Sequence, residues 1–325
     1  MSLQKADDKM NDEAGADDKS PYRILSLDGG GAKGFYTLGV LRELEAMLGS
    51  RLCNNFDLIY GTSTGSIIAA LLALGHTVDE VHQLYSANVI KVVSAIWPAA
   101  KSRALSKLGD EIFGTQRFDA FRIGVGIVAT RWHDERPLIF KNEFGRAAGR
   151  KASFSAGFGC TISDAVQSSC SAYPFFNRKQ IKLDNDDRVE LIDGGYCANN
   201  PTLYALADAI SVLQLPVSDV VVLSIGVGEY PEPARRRFRS MLKALPSVKL
   251  LNKTLQINTL SMAQLTEILF PEVRRIRISD VYSEPELATD LFENDLEKLS
   301  RLRQKGAESF AARETDILRL LEFKK

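Results

Sequence analysis

Apolar residues recur along the first half of the chain in a pattern that predicts alternating strands and helices. A short apolar run, YRILSL, stops at a glycine triplet, and FYTLGVLRELEAML follows with leucines at 38, 41, 44 and 48 on one helical face. FDLIYG then predicts a second strand, and IIAALLAL a buried helix that ends at Gly75. Strand, turn and helix in repeated order are typical of an α/β sheet.

The same pattern continues to about residue 228 and then changes. Further strands are predicted at residues 122–130, 137–142, 189–193 and 219–228, with helices that begin near Ser163 and Pro201. From about residue 238 the apolar spacing is mainly that of amphipathic helices. The chain therefore divides into an α/β part and a helical C-terminal part.

Two glycine motifs follow the first two strands and predict different chemistry. GGGAKG at residues 29–34 fits the GxGxxG pattern of dinucleotide binding, and GTSTG at residues 61–65 fits the GxSxG turn of hydrolases. A dinucleotide site needs an acidic residue where the second strand ends, but this strand ends in Gly61-Thr62-Ser63. The hydrolase interpretation uses both motifs, because Ser63 is exposed on a sharp turn and the triplet's amides can stabilise an oxyanion. A simple tight turn remains the alternative for the triplet.

Ser63 needs a general base, and none of the three histidines is well placed for that role. His76 and His82 lie on or near the helix after the serine, and His133 precedes the acidic candidate. That candidate is Asp193 in LIDGGYCANNP, which closes a predicted strand, although an aspartate beside glycines is often a turn residue. Since the carboxyl ends of parallel strands share one edge of a sheet, we expect Ser63 and Asp193 to meet.

Three motifs in this order, DGGGAKG, GTSTG and DGG, make the chain resemble the patatin-like phospholipases. That family uses a Ser-Asp dyad without histidine, which accounts for the missing base. By this resemblance Ser63 is the nucleophile, Asp193 is the base, and the oxyanion donors are Gly29, Gly30 and Gly31. The remaining motif positions, expected to support the site, are Asp28, Lys33, Gly61, Gly65, Gly194 and Gly195.

The resemblance implies a three-layer α/β/α sandwich with a central, mostly parallel sheet and a helical C-terminal region. We expect a disordered tail at residues 1–20, the catalytic domain at 21–228, and a region at 229–325 that is regulatory or packed on that domain. The implied activity is phospholipase A-type cleavage of ester bonds in membrane phospholipids, with no metal and no cofactor. Bacterial members with DGGGAKGFYTLGVL resemble anti-phage effectors that cyclic dinucleotides activate, so such a nucleotide is the expected activator. We expect the C-terminal region to gate the site or to build a homo-oligomer.

Composition limits which partners, metal sites and cellular locations we expect. The 41 basic and 41 acidic residues balance, which argues against a nucleic-acid partner. The four cysteines show no zinc spacing, no secretory signal begins the chain, and the longest apolar stretch, residues 67–74, is too short to span a bilayer. We therefore expect a cytoplasmic protein, peripheral to the inner face of the membrane.

Some segments leave alternatives open. Residues 89–105, with Trp97, suit either a membrane-contacting lid or a core helix. The arginine clusters at 235–239 and 274–277 suit either phosphate binding or solvated charge. A non-catalytic nucleotide-sensing scaffold and a Rossmann-type oxidoreductase are the rival functions, which ester turnover and NAD binding respectively would test.

Overall fold

A computed structural model describes residues 20–142, 156–183, 188–232 and 246–321, and its centre is a mixed sheet. The strands are β1 (Tyr22–Leu27), β2 (Leu58–Thr62), β3 (Gly124–Arg131), β4 (Arg136–Lys141), β5 (Ala156–Gly157), β6 (Lys179–Lys182), β7 (Arg188–Asp193), β8 (Val220–Ile225) and β9 (Arg274–Ile278). Their order is β5-β4-β3-β2-β1-β8-β9, and β7 pairs with both β3 and β6. The tail at residues 1–19 and the arginine cluster at 235–239 lie outside the described residues.

Helices cover both faces of the sheet. They are α1 (Gly34–Leu48), α2 (Thr64–Leu74), α3 (Val78–Ser94), α4 (Pro98–Phe113), α5 (Ile162–Ser169), α6 (Gly195–Ala198), α7 (Thr202–Leu206), α8 (Pro246–Leu269), α9 (Leu296–Ala311) and α10 (Glu314–Leu321). Successive residues of β1 point to opposite faces of the sheet and enter different cores. Leu25 packs with α1 and α2, whereas Ile24 packs with α7. Two apolar cores on opposite faces make the three layers that the sequence predicts.

The core beside α7 holds a buried ion pair. Lys141 at the end of β4 donates to Asp208 at 2.5 Å, and both side chains are almost fully buried. The hydroxyl of Tyr60 in β2 also donates to Asp208. A charge this deeply buried needs its counter-charge, so the pair ties β4 to the helical layer behind it.

Strands β2 and β7 lie end to end along one side of β3. The last residue of β2, Thr62, is paired with Val128, and Asp193 at the end of β7 is paired with the next residue, Ala129. Strand β7 runs antiparallel to β3, so the expectation that two parallel strands bring the serine and the aspartate together is wrong in this detail. Their carboxyl ends instead point at each other across a single register step.

The described part of the C-terminal region is continuous with the sheet. Strand β9 pairs in parallel with β8, and α9 packs along α1. The pattern RRIRI did not predict a strand, because an edge strand exposes charged side chains and lacks the apolar run of a central one. Among the described residues, no helix is both long enough and apolar enough to cross a bilayer.

Candidate active site

The turn between β2 and α2 holds Ser63 in a strained conformation. Its φ of 52° and ψ of −128° are rare for a residue with a side chain. A Cβ on Gly61 would lie 2.4 Å from the Gly65 carbonyl oxygen, and one on Gly65 would lie 2.5 Å from the Leu27 carbonyl oxygen. Both motif glycines are therefore required by close backbone packing, which forces the serine outwards from the sheet edge.

The hydroxyl of Ser63 donates a hydrogen bond of 2.7 Å to Oδ2 of Asp193. The other carboxylate oxygen, Oδ1, accepts from the amide of Gly195 at 2.7 Å. Asp193 is only 1% exposed, and this burial raises its pKa to about 7 although both hydrogen bonds oppose the rise. A carboxylate with a pKa near neutrality can both take and return a proton.

The glycine triplet places two backbone amides beside the serine. Gly30 and Gly31 line the same cavity as Ser63. The Gly30 amide makes a long hydrogen bond of 3.3 Å to the hydroxyl of Thr64, and in the described part of the chain the Gly31 amide has no acceptor. The Gly29 amide already donates to the Asn199 carbonyl oxygen at 3.0 Å. Of the three amides of the glycine triplet, those of Gly30 and Gly31 are available to an oxyanion in this conformation.

The charged residues of the DGGGAKG motif, Asp28 and Lys33, have their neighbours away from the dyad. Asp28 is buried and accepts two hydrogen bonds from the guanidinium of Arg277 in β9, at 2.6 Å and 3.3 Å. Lys33 is partly buried near Glu229 and Asp290, and burial lowers its pKa. The pair of Asp28 with Arg277 joins the glycine loop to β9, and neither Asp28 nor Lys33 makes a side-chain hydrogen bond to the dyad.

Sequence reasoning missed two residues that join the loops of the site. The hydroxyl of Ser169 accepts from the Ser63 amide at 2.9 Å and donates to the Val128 carbonyl oxygen at 2.6 Å, while its own carbonyl accepts from the Gly194 amide. The Asn199 amide group donates to the Gly29 carbonyl oxygen at 3.1 Å. Both residues lie in segments rich in small polar side chains, SSCSAYPFF and CANNP. Their roles could not be predicted, because the partners Ser63 and Gly29 are 106 and 170 positions away in the sequence.

An apolar cavity of about 50 Å³ adjoins the dyad, and we call it the acyl cavity. Residues 89–105 include both buried core positions and exposed surface positions. Val89, Val93 and Leu105 are buried walls of the acyl cavity, whereas Trp97, between α3 and α4, is 70% exposed. Ligand pockets usually have 300–1,000 Å³, so the acyl cavity is closed to a fatty acyl chain in this conformation.

The three histidines have partners away from the dyad. His76 lies 3.5 Å from Glu80, His133 lies 3.3 Å from Glu190, and His82 is hydrogen-bonded to Arg303. The four cysteines are free thiols, and within the described ranges no group of acidic, cysteine and histidine side chains could hold a metal ion.

Comparison with known proteins identifies the family of the chain. The sequence model of a family described as "Patatin-like phospholipase" matches residues 25–206, more than half of the chain. A "cUMP-AMP-activated phospholipase" of Escherichia coli is 56% identical over 299 residues, which cover 92% of this chain and 93% of that protein. A "cGAMP-activated phospholipase" of Escherichia coli strain TW11681 is 29% identical, covering 67% of this chain and 65% of the relative.

A solved structure supports the fold alone. The crystal structure of VipD from Legionella pneumophila superposes with a TM-score of 0.50 at 12% identity, covering 90% of this chain and 66% of that one. The family match and the 56% identical relative go further than the fold, since they concern the sequence itself. The chain belongs to the patatin-like phospholipases and is an ester hydrolase of that family.

Proposed function

We propose that the protein cleaves ester bonds of membrane phospholipids with Ser63 as nucleophile and Asp193 as base, and that a cyclic dinucleotide activates it. The observation that carries the proposal is the 2.7 Å hydrogen bond from a strained serine to a buried carboxylate whose pKa is raised to about 7. An apolar cavity adjoins the pair, as the acyl chain of a lipid requires.

Acylation begins when Oγ of Ser63 attacks the carbonyl carbon of the ester and its proton passes to Oδ2 of Asp193. The carbonyl oxygen becomes an oxyanion, which the amides of Gly30 and Gly31 stabilise. When the intermediate collapses, the bond to the lipid alcohol breaks and the alcohol oxygen takes the proton from Asp193. The acyl group remains on Ser63.

Deacylation repeats these steps with water as nucleophile. Asp193 takes a proton from the water, and the hydroxide attacks the acyl carbon of the ester on Ser63. The collapse of this second intermediate releases the fatty acid, and the proton returns from Asp193 to Oγ of the serine. One carboxylate therefore serves as base and acid in both halves, which a pKa near neutrality favours.

Two observations support activation by a ligand. The acyl cavity of about 50 Å³ must enlarge before a fatty acyl chain can enter. Two relatives, 56% and 29% identical, are named for activation by cUMP-AMP and cGAMP respectively. We propose that a cyclic dinucleotide plays this part here, in the anti-phage role that the resemblance implies.

The exposed connection between α3 and α4 supports contact with the membrane. Ile96 and Trp97 are 60% and 70% exposed, and the helices on either side supply walls of the acyl cavity. A tryptophan is well suited to the membrane interface, because its ring is apolar and its N–H can stay hydrated. We propose that this tip enters the inner face of the membrane beside the cavity mouth.

Product analysis on mixed phospholipid vesicles, with and without cyclic UMP-AMP, tests the proposal. Released fatty acid and lysophospholipid are the expected products, and ligand binding without turnover would indicate a non-catalytic nucleotide sensor. Ser63→Ala and Asp193→Asn should fold and lose about 10³-fold or more in rate, and the double variant should lose little further. The controls His82→Ala and His133→Ala should keep most activity. A folded but inactive histidine variant, or an active Asp193→Asn, would contradict the dyad.

A further inference from the structure

A second cavity lies on the other side of the glycine triplet from Ser63, and the ester chemistry does not use it. Its volume is about 280 Å³. Its walls are Gly29 and Lys33 of the glycine loop, residues 227–230 after β8, the first half of α8, and residues 289–291. We call it the regulatory cavity, and Leu255 and Leu291 line both it and the acyl cavity.

The lysine and amide side chains on α8 can contact a nucleotide in the regulatory cavity. The cavity is also lined by four carboxylates, those of Asp28, Glu229, Glu232 and Asp290. Lys249 and Lys253 lie one turn apart on α8 and can bind a phosphodiester in place of their present partner, Glu232. The amides of Asn252 and Gln256 lie on the same stretch of helix, and an amide presents both a donor and acceptors to the edge of a base.

Two buried hydroxyls of the regulatory cavity lack hydrogen-bond partners among the residues that the structure describes, and Lys33 lies beside them in the cavity wall. The hydroxyls of Tyr230 and Thr289 are shielded from solvent, and neither makes a hydrogen bond. Within the described ranges the ammonium of Lys33 also makes no hydrogen bond or ion pair. Because buried polar groups in folded proteins are nearly always paired, the two unpaired hydroxyls are groups that a polar ligand in this cavity could satisfy. Burial lowers the pKa of Lys33, and an added anion in the cavity would favour its charged form.

Residues 289–292 connect the two cavities mechanically. Thr289 faces the regulatory cavity, Phe292 faces the acyl cavity, and Leu291 lines both. The Leu291 carbonyl oxygen accepts from the Ala32 amide at 3.0 Å and lies against Gly31, where a Cβ would approach it to 2.3 Å. Any shift of this segment therefore changes the volume of the acyl cavity and the support of the glycine loop.

We propose that the regulatory cavity binds one nucleotide of the activating cyclic dinucleotide, and that contact with residues 289–291 moves Leu291 and Phe292 out of the acyl cavity. The volume of about 280 Å³ is near the lower end of the range for ligand pockets, which fits one nucleotide better than two. The inference rests on the proposed activation by a cyclic dinucleotide and adds where the ligand binds and how it acts.

Isothermal titration calorimetry with cyclic UMP-AMP on the full chain tests the site. Asn252→Ala and Lys253→Ala should each raise the Kd about tenfold or more, since a lost charge-assisted or base-edge hydrogen bond has about that effect. Lys107→Ala is the matched control, because this exposed lysine also has an acidic partner one turn away but lies on α4. It should bind like the wild type.

The outcomes separate this inference from the proposed function. Weaker binding by the two α8 variants alone supports the site. Unchanged binding by both α8 variants overturns the site and leaves activation intact, whereas no binding of cyclic UMP-AMP or cGAMP to the wild type overturns both.

The coupling has its own test. Phe292→Leu and Phe292→Ala should release fatty acid from vesicles without ligand at a rate at least tenfold above the wild type. The leucine variant removes less volume and keeps the test decisive if the alanine variant does not fold. No increase in a folded variant would overturn the proposed opening.

Discussion

Replacing Asp193 by asparagine should stabilise the protein while it abolishes the activity. The carboxylate is almost fully buried, and its pKa is raised from 3.8 to about 7. Since one pKa unit corresponds to about 1.4 kcal/mol, keeping this group charged in the fold costs about 4 kcal/mol. Asparagine has the same shape and can keep a hydrogen bond to the Gly195 amide, but it never bears the charge.

Because the fold raises the pKa of Asp193, the free energy of unfolding of the wild type depends on pH. An unfolded Asp193 releases its proton near pH 4, whereas the folded one retains it until about pH 7, so the wild type loses stability as the pH rises through this window. The Asp193→Asn variant does not lose stability in this way, because asparagine does not ionise. Its advantage in the free energy of unfolding should be about 2 kcal/mol at pH 5 and about 4 kcal/mol at pH 8.

Urea denaturation at pH 5, 6, 7 and 8 measures the difference directly. Asp119→Asn is the matched control, because it makes the same substitution at an exposed position. An Asp193→Asn variant that is less stable than the wild type at pH 8, or a gain that does not grow with pH, would refute the reasoning.

Three further predictions concern the catalytic base, the core and the surface. The kcat/KM for a soluble short-chain ester should fall as the pH drops through about 7, because protonated Asp193 cannot accept a proton; a flat profile would contradict the assignment. Lys141→Met should lower the free energy of unfolding by about 3–5 kcal/mol, since it leaves the Asp208 carboxylate buried without this counter-charge, whereas Lys107→Met should change it by under about 0.5 kcal/mol. Trp97→Ala should reduce co-sedimentation with anionic vesicles, and unaltered sedimentation of the folded variant would exclude the tip as an anchor.

The sequence predicts those parts of the site whose signals are local. Ser63 stands out because a strand, two glycines and a buried helix follow one another between residues 58 and 74. The strand before Asp193 is likewise visible, although its antiparallel direction is not, since direction depends on which neighbour the strand pairs with. Both residues therefore emerged from motifs before any contact was known.

Features set by distant contacts were not predictable. The amide of Gly29 fits the motif of an oxyanion donor, but its partner is a carbonyl oxygen 170 residues away, at Asn199. Arg277 lies in a charged segment that suits solvated charge equally well, until β9 pairs with β8 and brings it to Asp28. Likewise no local pattern indicates that Phe292 lines the acyl cavity.

The ion pair between Asp28 and Arg277 has a consequence for synthesis of the protein. These residues are 249 positions apart, so a nascent chain contains the serine, the aspartate and the whole glycine loop long before it contains the arginine. Until then the Asp28 carboxylate has no guanidinium, and burying it alone would cost several kcal/mol. We therefore expect a chain that ends before Arg277 to leave the glycine loop without this support, although it contains both Ser63 and Asp193.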